Sequence, residues 1–472
     1  MCNYRQTANN SSQFLWVILT LIGSFSPAFS QNRSTSELIA PFVEPHDDST
    51  QAQSAPLTLT LQDALERAQK NDAQFLSVVN DAKLAQEDRI QARASLLPSF
   101  NLRSEYLNTQ GNGGVLPTGR YVTNDGVHVY REWGVFHQDF SPATLLGTGY
   151  RRAEAAEAQA RAKAEVARRG LAVTVTKAYY TLITAQRKYA TAQQALEQAT
   201  NLLTIGQNLE HGGEVAHSDV IKFELQYDAQ ERAFRETKLA MAGARLDLAV
   251  LLFPQFDQNF DIVDDLKLAP ALPSFAEIQD LAKRENPDLR VAIESLRAAN
   301  QDVSIARQAF LPSLAVDVDY GIEANSLALR SFVSADRSLG RLPNLGYFLT
   351  ATMTIPVWNW GGTRSKLRQA ELKRQQAKVE LSATQRQLLR NLYGFYQEAE
   401  TAKEELASLR HSAERAAESL RLTTLRYQAG EATVLEVVDA QNTLTQARNA
   451  YDDGEVRYSV ALANVQTVTG RF

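Results

Sequence analysis

Arg93-Ala-Ser-Leu-Leu-Pro98-Ser99-Phe100 and Arg307-Gln-Ala-Phe-Leu-Pro312-Ser313-Leu314 stand 214 residues apart in a chain of 472 residues. At the same spacing Ala68 meets Ala282, Gly147 meets Gly361, Ala156 meets Ala370 and Tyr179 meets Tyr393. After a three-residue shift, Gly213-Glu214 meets Gly430-Glu431, Val220 meets Val437 and Phe234 meets Tyr451. Helical sequences of similar composition align by chance. Matched Pro and Gly do not, because these residues mark breaks. The chain therefore reads as one module written twice, and such a period determines the fold before any local detail does.

Outward from these two octapeptides, each half carries the same order of elements. A short helix near 60–70 or 275–285 comes first. A helix of about 25 residues follows and runs to Leu97 or Leu311, just before a proline. Two strands flank a Gly-rich loop in the first half, at about 99–109 and 130–140. Their counterparts lie at about 313–321 and 346–356. A very long helix, roughly 145–210 or 362–427, then turns at glycine into a helix near 214–251 or 431–469. At 1.5 Å per residue the long helices reach roughly 100 Å. The two shorter helices nearly sum to that length, so one long helix flanked by two shorter ones stacked end to end is the expected packing. Leu367, Ala370, Leu372, Ala377, Leu381, Leu388 and Leu392 suit a coiled-coil-like seam. The domain reading is 57–253 and 274–470 for the repeats, with 254–273 as linker.

The strand runs alternate. Phe100, Leu102 and Tyr106 alternate with Asn101, Arg103 and Glu105. Leu314, Val316, Val318 and Tyr320 alternate with Ala315, Asp317 and Asp319. Tyr347, Leu349, Ala351, Met353 and Ile355 alternate with Phe348, Thr350, Thr352 and Thr354. Period two with one apolar face is a strand signature. The run Tyr130 to Phe140 alternates poorly and is assigned as a strand by analogy with its repeat partner. About ten residues is the length a tilted strand needs to cross a bilayer. Four strands cannot close a barrel alone, and open edges in lipid are costly. Three chains would pool twelve strands. A soluble hairpin lying on the helices has the same alternation.

The N-terminal segment reads as a secretory signal over residues 1–30. Arg5 supplies the charge, Phe14 to Ile22 the apolar run, and Ala28 and Ser30 a small-residue cleavage site, so the mature chain is expected to start near Gln31. Residues 31–56 are Ser-, Thr-, Gln- and Pro-rich and read as a disordered lead-in. The single cysteine, Cys2, falls in the signal, so the mature chain is expected to hold no disulfide and no metal thiolate. A net charge of −5 with interspersed signs argues against nucleic-acid binding. Gly111 to Gly114 lies in a loop between strands, unlike a phosphate-binding turn. His211 and His217 lack a second ligand pair, and three methionines give little support for a soft-metal path. No catalytic constellation, metal site or cofactor motif stands out.

The Leu-Pro-Ser strand starts at 97–99 and 311–313 carry a family resemblance. So do the strand exit Pro356-Val-Trp-Asn-Trp-Gly361-Gly362 and the segment Gly430-Glu-Ala-Thr-Val-Leu-Glu436-Val-Val-Asp439-Ala-Gln441. Over residues 57–470 the chain resembles the TolC-like outer-membrane efflux and secretion family. That resemblance implies a fold that is mainly α with a membrane β-barrel. Each chain would be internally duplicated and give four strands to a trimeric twelve-stranded barrel above a long periplasmic α-helical coiled-coil tunnel. It implies the passive exit duct of a tripartite efflux pump or type I secretion system. The implied partners are two further copies, outer-membrane lipid, a periplasmic adaptor (membrane fusion) protein and an inner-membrane pump. The alternative from another class is a periplasmic coiled-coil scaffold without a pore.

The resemblance also carries site expectations. Ser218, Asp219 and Tyr427 match positions whose hydrogen bonds and ion pairs hold the family's gate closed. Glu436 and Asp439 match paired acids that ring the inner constriction. The tips at Gly213, Glu214, Gly430 and Glu431 match the region that meets the adaptor. A gate arginine expected five residues after Tyr427 is Ala432 here, with Arg426 a candidate replacement. Independently of the family, Glu436 and Asp439 are three apart on a helix and so share a face. Rings of such acids in a trimer would favour cations, and their crowding would raise their pKa values.

Overall fold

A computed structural model describes residues 57–108, 128–255, 259–266, 272–330 and 343–469. The expected signal segment, the lead-in 31–56 and the loop at Gly111 to Gly114 lie outside the described residues.

The first half opens with β1 (Leu57–Leu59), α1 (Leu61–Asn71) and α2 (Ala73–Ala94), followed by β2 (Ser99–Asn108), β3 (His128–Asp139) and the short α3 (Pro142–Leu145). The long α4 (Thr148–His211) and α5 (His217–Leu252) complete it. After β4 (Phe260–Ile262) come α6 (Phe275–Glu285), α7 (Pro287–Gln308), β5 (Ser313–Ala324), β6 (Leu345–Thr354), α8 (Gly362–Gln428) and α9 (Val434–Thr469). The local punctuation recurs with the elements. Thr60 forms a capping box with Asp63 on α1, and Ser274 forms one with Glu277 on α6. Asp72 caps α2 by accepting from Phe75 N–H, and Asn286 caps α7 by accepting from Leu289 N–H.

The helices form a layer. In the half nearer the strands α4 packs between α2 and α7, and α8 packs on the far side of α7. In the other half α4 packs between α5 and α9, with α8 beyond α9. α8 is thus flanked by one pair of shorter helices stacked end to end, α7 and α9, and α4 lies between that pair and a second, α2 and α5. On α4 the buried column Thr148, Ala155, Ala162, Arg169, Thr176 and Ile183 recurs every seven residues, the repeat that keeps a seam facing its partner in a left-handed coil. On α8 the expected seam holds at Ala370, Ala377, Leu388 and Leu392, which are buried. Leu372 departs from it at 60% exposed: at two residues from Ala370 it lies on another side of the helix.

Midway along α4 the chain builds a belt that the sequence reading missed. β1 and β4 pair in parallel, Leu57 with Phe260 through Leu59 with Ile262. Tyr179 of α4 is fully buried beneath them and donates its hydroxyl proton toward the carbonyl oxygens of Val263 at 2.7 Å and Leu59 at 3.2 Å. Ala64, Ala68, Leu182, Leu248, Leu252 and Phe260 close this core. Strands of three residues carry too little alternation to show in sequence.

Helix ends differ from expectation by a few residues. α2 and α7 stop at Ala94 and Gln308, short of Leu97 and Leu311. A residue before proline is pushed out of the helical region, so the chain leaves the helix through three-residue turns, Leu96 to Arg93 and Leu97 to Ala94. α5 and α9 begin at His217 and Val434, three residues after Glu214 and Glu431, because those two glutamates supply their backbone N–H groups to the preceding helix.

Four strands form one antiparallel sheet in the order β2-β3-β5-β6. Ser99 pairs with His137, Gly134 with Tyr320, and Tyr320 with Tyr347. β3 is therefore an interior strand, although its sequence alternates poorly. The reason is that Trp133 and Val135 put apolar bulk on the side occupied elsewhere by polar residues. Val135 is 6% exposed, and Trp133 lies 5.6 Å from Phe348, ring centre to ring centre.

Candidate functional site

Cross-strand pairing sorts the sheet's side chains into two faces. Directly paired residues share a face. One face carries Phe100, Leu102, Tyr106, Tyr130, Phe136, Val316, Val318, Tyr320, Leu345, Tyr347, Leu349 and Met353. Most of these residues are open to the surroundings, with Phe100 72% exposed and Tyr347 76%, while Tyr130, Val316 and Val318 are half-buried. The other face carries Arg103, Glu105, Arg131, His137, Asp317, Asp319 and Glu323. There Arg131 bridges Glu105 at 3.1 Å and Glu323 at 3.0 Å, and His137 meets Asp317 at 2.6 Å. β2 and β6 lie at the two edges of the sheet.

At the opposite end of the long helices the two hairpin turns share one geometry. At the end of α4, Gly213 N–H bonds Glu210 O at 2.9 Å and Glu214 N–H bonds Leu209 O at 2.9 Å. At the end of α8, Gly430 N–H bonds Tyr427 O at 3.0 Å and Glu431 N–H bonds Arg426 O at 2.8 Å. Both are Schellman turns, with the glycine left-handed. Gly213, Glu214, Gly430 and Glu431 are all exposed.

The expected gate residues are distributed around these turns. Ser218 is exposed. Asp219 accepts from Lys222 of its own helix at 2.8 Å. Tyr427 is buried and its hydroxyl makes no hydrogen bond among the described residues; burial, with the charge of Asp219 adding to it, pushes that phenol above its ordinary value. Glu436 and Asp439 share an exposed side of α9, while Val434, Val437 and Ala440 are buried.

Glu436 has a local role that the sequence reading did not assign. Its Oε1 accepts from Thr433 N–H at 3.2 Å and Thr433 Oγ1 at 3.1 Å, while Glu436 N–H reaches back to Thr433 Oγ1 at 3.4 Å. This reciprocal pair is a capping box, legible afterwards in Thr433-x-x-Glu436. Arg426 stands 3.5 Å from Glu436 and donates to Glu431 O at 3.1 Å. Its ion pair is with Glu436 rather than Asp219. The Thr433 bonds first, then Arg426, hold the Glu436 carboxyl below its ordinary range. Within one chain these causes act against the rise expected from crowding in a ring.

Two further groups escaped sequence reasoning. Phe223, Leu202, Tyr427, Val434 and Val437 form an apolar cluster between the hairpins, and Ala432 packs at its margin. Arg187 of α4 reaches Asp264 at 2.6 Å, Asp452 at 3.2 Å and Glu455, with Lys188 reaching Asp453 at 2.7 Å. Among the described residues no cluster of three or more His, Cys, Asp or Glu is placed to hold a metal, and no helix is long and apolar enough to cross a membrane.

A strand sheet with one open apolar face, set at the end of a helical layer about 100 Å long, defines the class of outer-membrane proteins that join a β-sheet to a long helical body. The chain is similar to the TolC-like outer-membrane efflux family. The model of that family, outer membrane efflux protein, matches residues 278–471. The outer membrane protein OprJ of Pseudomonas aeruginosa is 27% identical over 317 residues, 65% of this chain and 62% of its own length. The outer membrane protein TolC of Vibrio cholerae is 23% identical over 428 residues, 88% of this chain and 92% of its own. The crystal structure of the outer membrane protein VceC of Vibrio cholerae has the same fold, with a TM-score of 0.73 at 18% identity, covering 87% of this chain and 96% of that one.

Proposed function

We propose that three copies of this chain close into one tube in the outer membrane, and that the tube is the passive exit duct of a tripartite efflux pump or type I secretion system. One observation carries the reading: a four-stranded sheet whose apolar face is open and whose edge strands, β2 and β6, have no partner strand among the described residues. In lipid, apolar side chains on the outer face are favourable and unpaired backbone is not. Strand directions alternate through the sheet, so β6 of one copy meets β2 of the next antiparallel and a ring closes without an odd pairing. Two copies would give about eight strands, an interior filled by its own side chains; three give twelve and leave a lumen. The charged face, with Arg131, Asp317, Asp319 and Glu323, then lines that lumen.

The helices support the same closure. Exposed Leu76 and Ile90 on α2, and exposed Leu372, Val379 and Tyr393 on α8, lie on the two outer helices of the layer, where neighbouring copies would meet. The two structural repeats, 57–253 and 274–470, joined by 254–273, each contribute two strands and one long hairpin. The tips at Gly213, Glu214, Gly430 and Glu431 face the periplasmic adaptor, and an inner-membrane pump supplies the energy. Ser218, Asp219, Tyr427, Glu436 and Asp439 surround the constriction, where Glu436 and Asp439 give two stacked rings of three carboxylates.

The test is reconstitution. The detergent-extracted protein has the mass of three chains and forms cation-selective channels in planar bilayers. The pair Glu436→Gln and Asp439→Asn lowers that selectivity. Recovery of the protein in a detergent-free soluble periplasmic fraction establishes the scaffold reading instead. Channels whose selectivity ignores the double variant remove the constriction from these two acids.

A further inference from the structure

The first hairpin, α4 with α5, and the second, α8 with α9, touch along the half of α4 beyond the belt, and the chemistry of that seam changes along it. Near the belt it is charged, through Arg187 to Asp452 and Glu455 and Lys188 to Asp453. Further toward the tips Arg448 donates to Gln194 Oε1 at 3.1 Å, and beyond that contact the seam becomes a layer of uncharged amides. Gln226 and Gln230 donate to Asn442 Oδ1 at 3.1 and 3.4 Å, and Gln441 donates to Ala195 O at 2.9 Å. At the tips it is apolar. Among the described residues, no ion pair joins the two hairpins on the tip side of Lys188 and Asp453.

Phe223 is the centre of the apolar end. It is 1% exposed, and its ring lies so close to Gly206 that a Cβ there would stand 2.6 Å from Phe223 Cδ2. The ring meets Tyr427 of the other hairpin edge-on, with centroids 5.8 Å apart and planes at 76°. Val434 and Val437 complete the contact from α9. Among the described residues no polar link accompanies it: the Tyr427 hydroxyl is buried without a hydrogen bond, Asp219 is engaged by Lys222, and position 432 is alanine.

We propose that Phe223, seated on Gly206 and pressed against Tyr427, is an uncharged latch that holds the two hairpin tips together and sets how readily the duct opens. This rests on the channel reading above. Phe223 and Gly206 act as positioning residues, since neither carries the pore charge. Separating the tips exposes the cluster to water, and that penalty is not screened by salt, unlike an ion pair on a surface. The unpartnered hydroxyl pulls the other way. It regains water when the tips part, so it weakens the closed state.

The experiment records single channels of the full chain in planar bilayers for wild type, Phe223→Ala, Phe223→Leu, Gly206→Ala, the Phe223→Ala/Gly206→Ala pair and Tyr427→Phe. Emptying a buried phenylalanine site raises the open probability by roughly tenfold or more, and leucine restores most of the closure. Gly206→Ala also raises it, although alanine for glycine inside a helix ordinarily stabilises the helix. Added to Phe223→Ala, it has no further effect, because the ring it displaces is gone. Tyr427→Phe stays closed or closes more tightly. Between about 0.1 M and about 1 M salt, where the screening length falls from about 10 to 3 Å, the open probability of the wild type is unchanged. Tip amides on α5 and α9 exchange hydrogen faster in Phe223→Ala and Gly206→Ala than in wild type.

Channels that form normally but open no more often in Phe223→Ala and Gly206→Ala overturn the latch and leave the duct standing. Opening by Tyr427→Phe, or opening that rises with salt, assigns closure to a polar link and overturns it too. Absence of conductance from every variant overturns the channel reading and the latch with it, while unchanged tip exchange overturns the latch whatever the conductance.

Discussion

Gly213 and Gly430 adopt the same left-handed backbone, with φ of 74° and 76°, at the matching point of the two hairpin turns. Each lets the following glutamate return its N–H to a carbonyl in the last turn of the helix before it. A side chain in this region strains the backbone, so Gly213→Ala and Gly430→Ala each lower stability by about 1 kcal/mol. Gly212→Ala, where φ is −76°, changes it by less than about 0.5 kcal/mol. Thermal unfolding of the three variants checks the contrast.

Gly321 is required for a different reason. A Cβ there would stand 1.9 Å from Glu132 O and 2.8 Å from Trp133 Cα, both backbone atoms of the neighbouring strand. Backbone cannot yield as a side-chain tip does, so Gly321→Ala breaks the β3–β5 pairing at a cost of about 3 kcal/mol or more. Gly346→Ala has open space and leaves the sheet intact. The thermal unfolding midpoint falls for the first variant only.

Arg187 neutralises a group that includes buried Asp452 and Glu455. Burial already pushes the Asp452 carboxyl up. Arg187→Met leaves both acids without their cation and costs about 3 kcal/mol at neutral pH. The loss shrinks as pH falls and the acids take up protons. Unfolding midpoints of wild type and variant therefore converge on acidification; a gap that widens instead contradicts the assignment.

Glu165 is held down to about 2 from an ordinary 4.5, mainly by hydrogen bonds from Arg168, with burial opposing and Arg169 adding. A depressed carboxylate pKa gives stability that is full above the unfolded value and disappears as pH falls through the folded one. The contribution is therefore complete above about 4.5 and lost toward about 2. Glu165→Gln removes this part of the acid dependence and lowers stability at neutral pH, since Arg169 loses its 2.7 Å partner. Stability measured across that range in both proteins checks it.

Much of the architecture was legible without coordinates. Repeated proline and glycine placed the element boundaries within a few residues, and period-two alternation located β2, β5 and β6. Helix ends were misplaced where a proline or a Schellman turn acts over two or three residues. At the site, Glu436 and Asp439 were correctly put on one helix face because three-residue spacing is a local matter. That Glu436 is also a helix cap bonded to Thr433 and near Arg426 depended on how the chain turns between α8 and α9.

The sequence by itself determined the long helices, the four long strands, their order and the double period, because capping, turn chemistry and side-chain periodicity act over a few residues. Only the tertiary structure decided which equivalent positions are buried. Tyr179 and Tyr393 are 214 residues apart and occupy matching places, yet the first is sealed under β1 and β4 and the second is half exposed beside Phe275. Arg187 finds Glu455 across 268 residues, and Phe223 finds Gly206 across the turn between α4 and α5 and then Tyr427 on the other hairpin. Such contacts depend on shape and on the distance between packed helices, and neither is written in the spacing of any single segment.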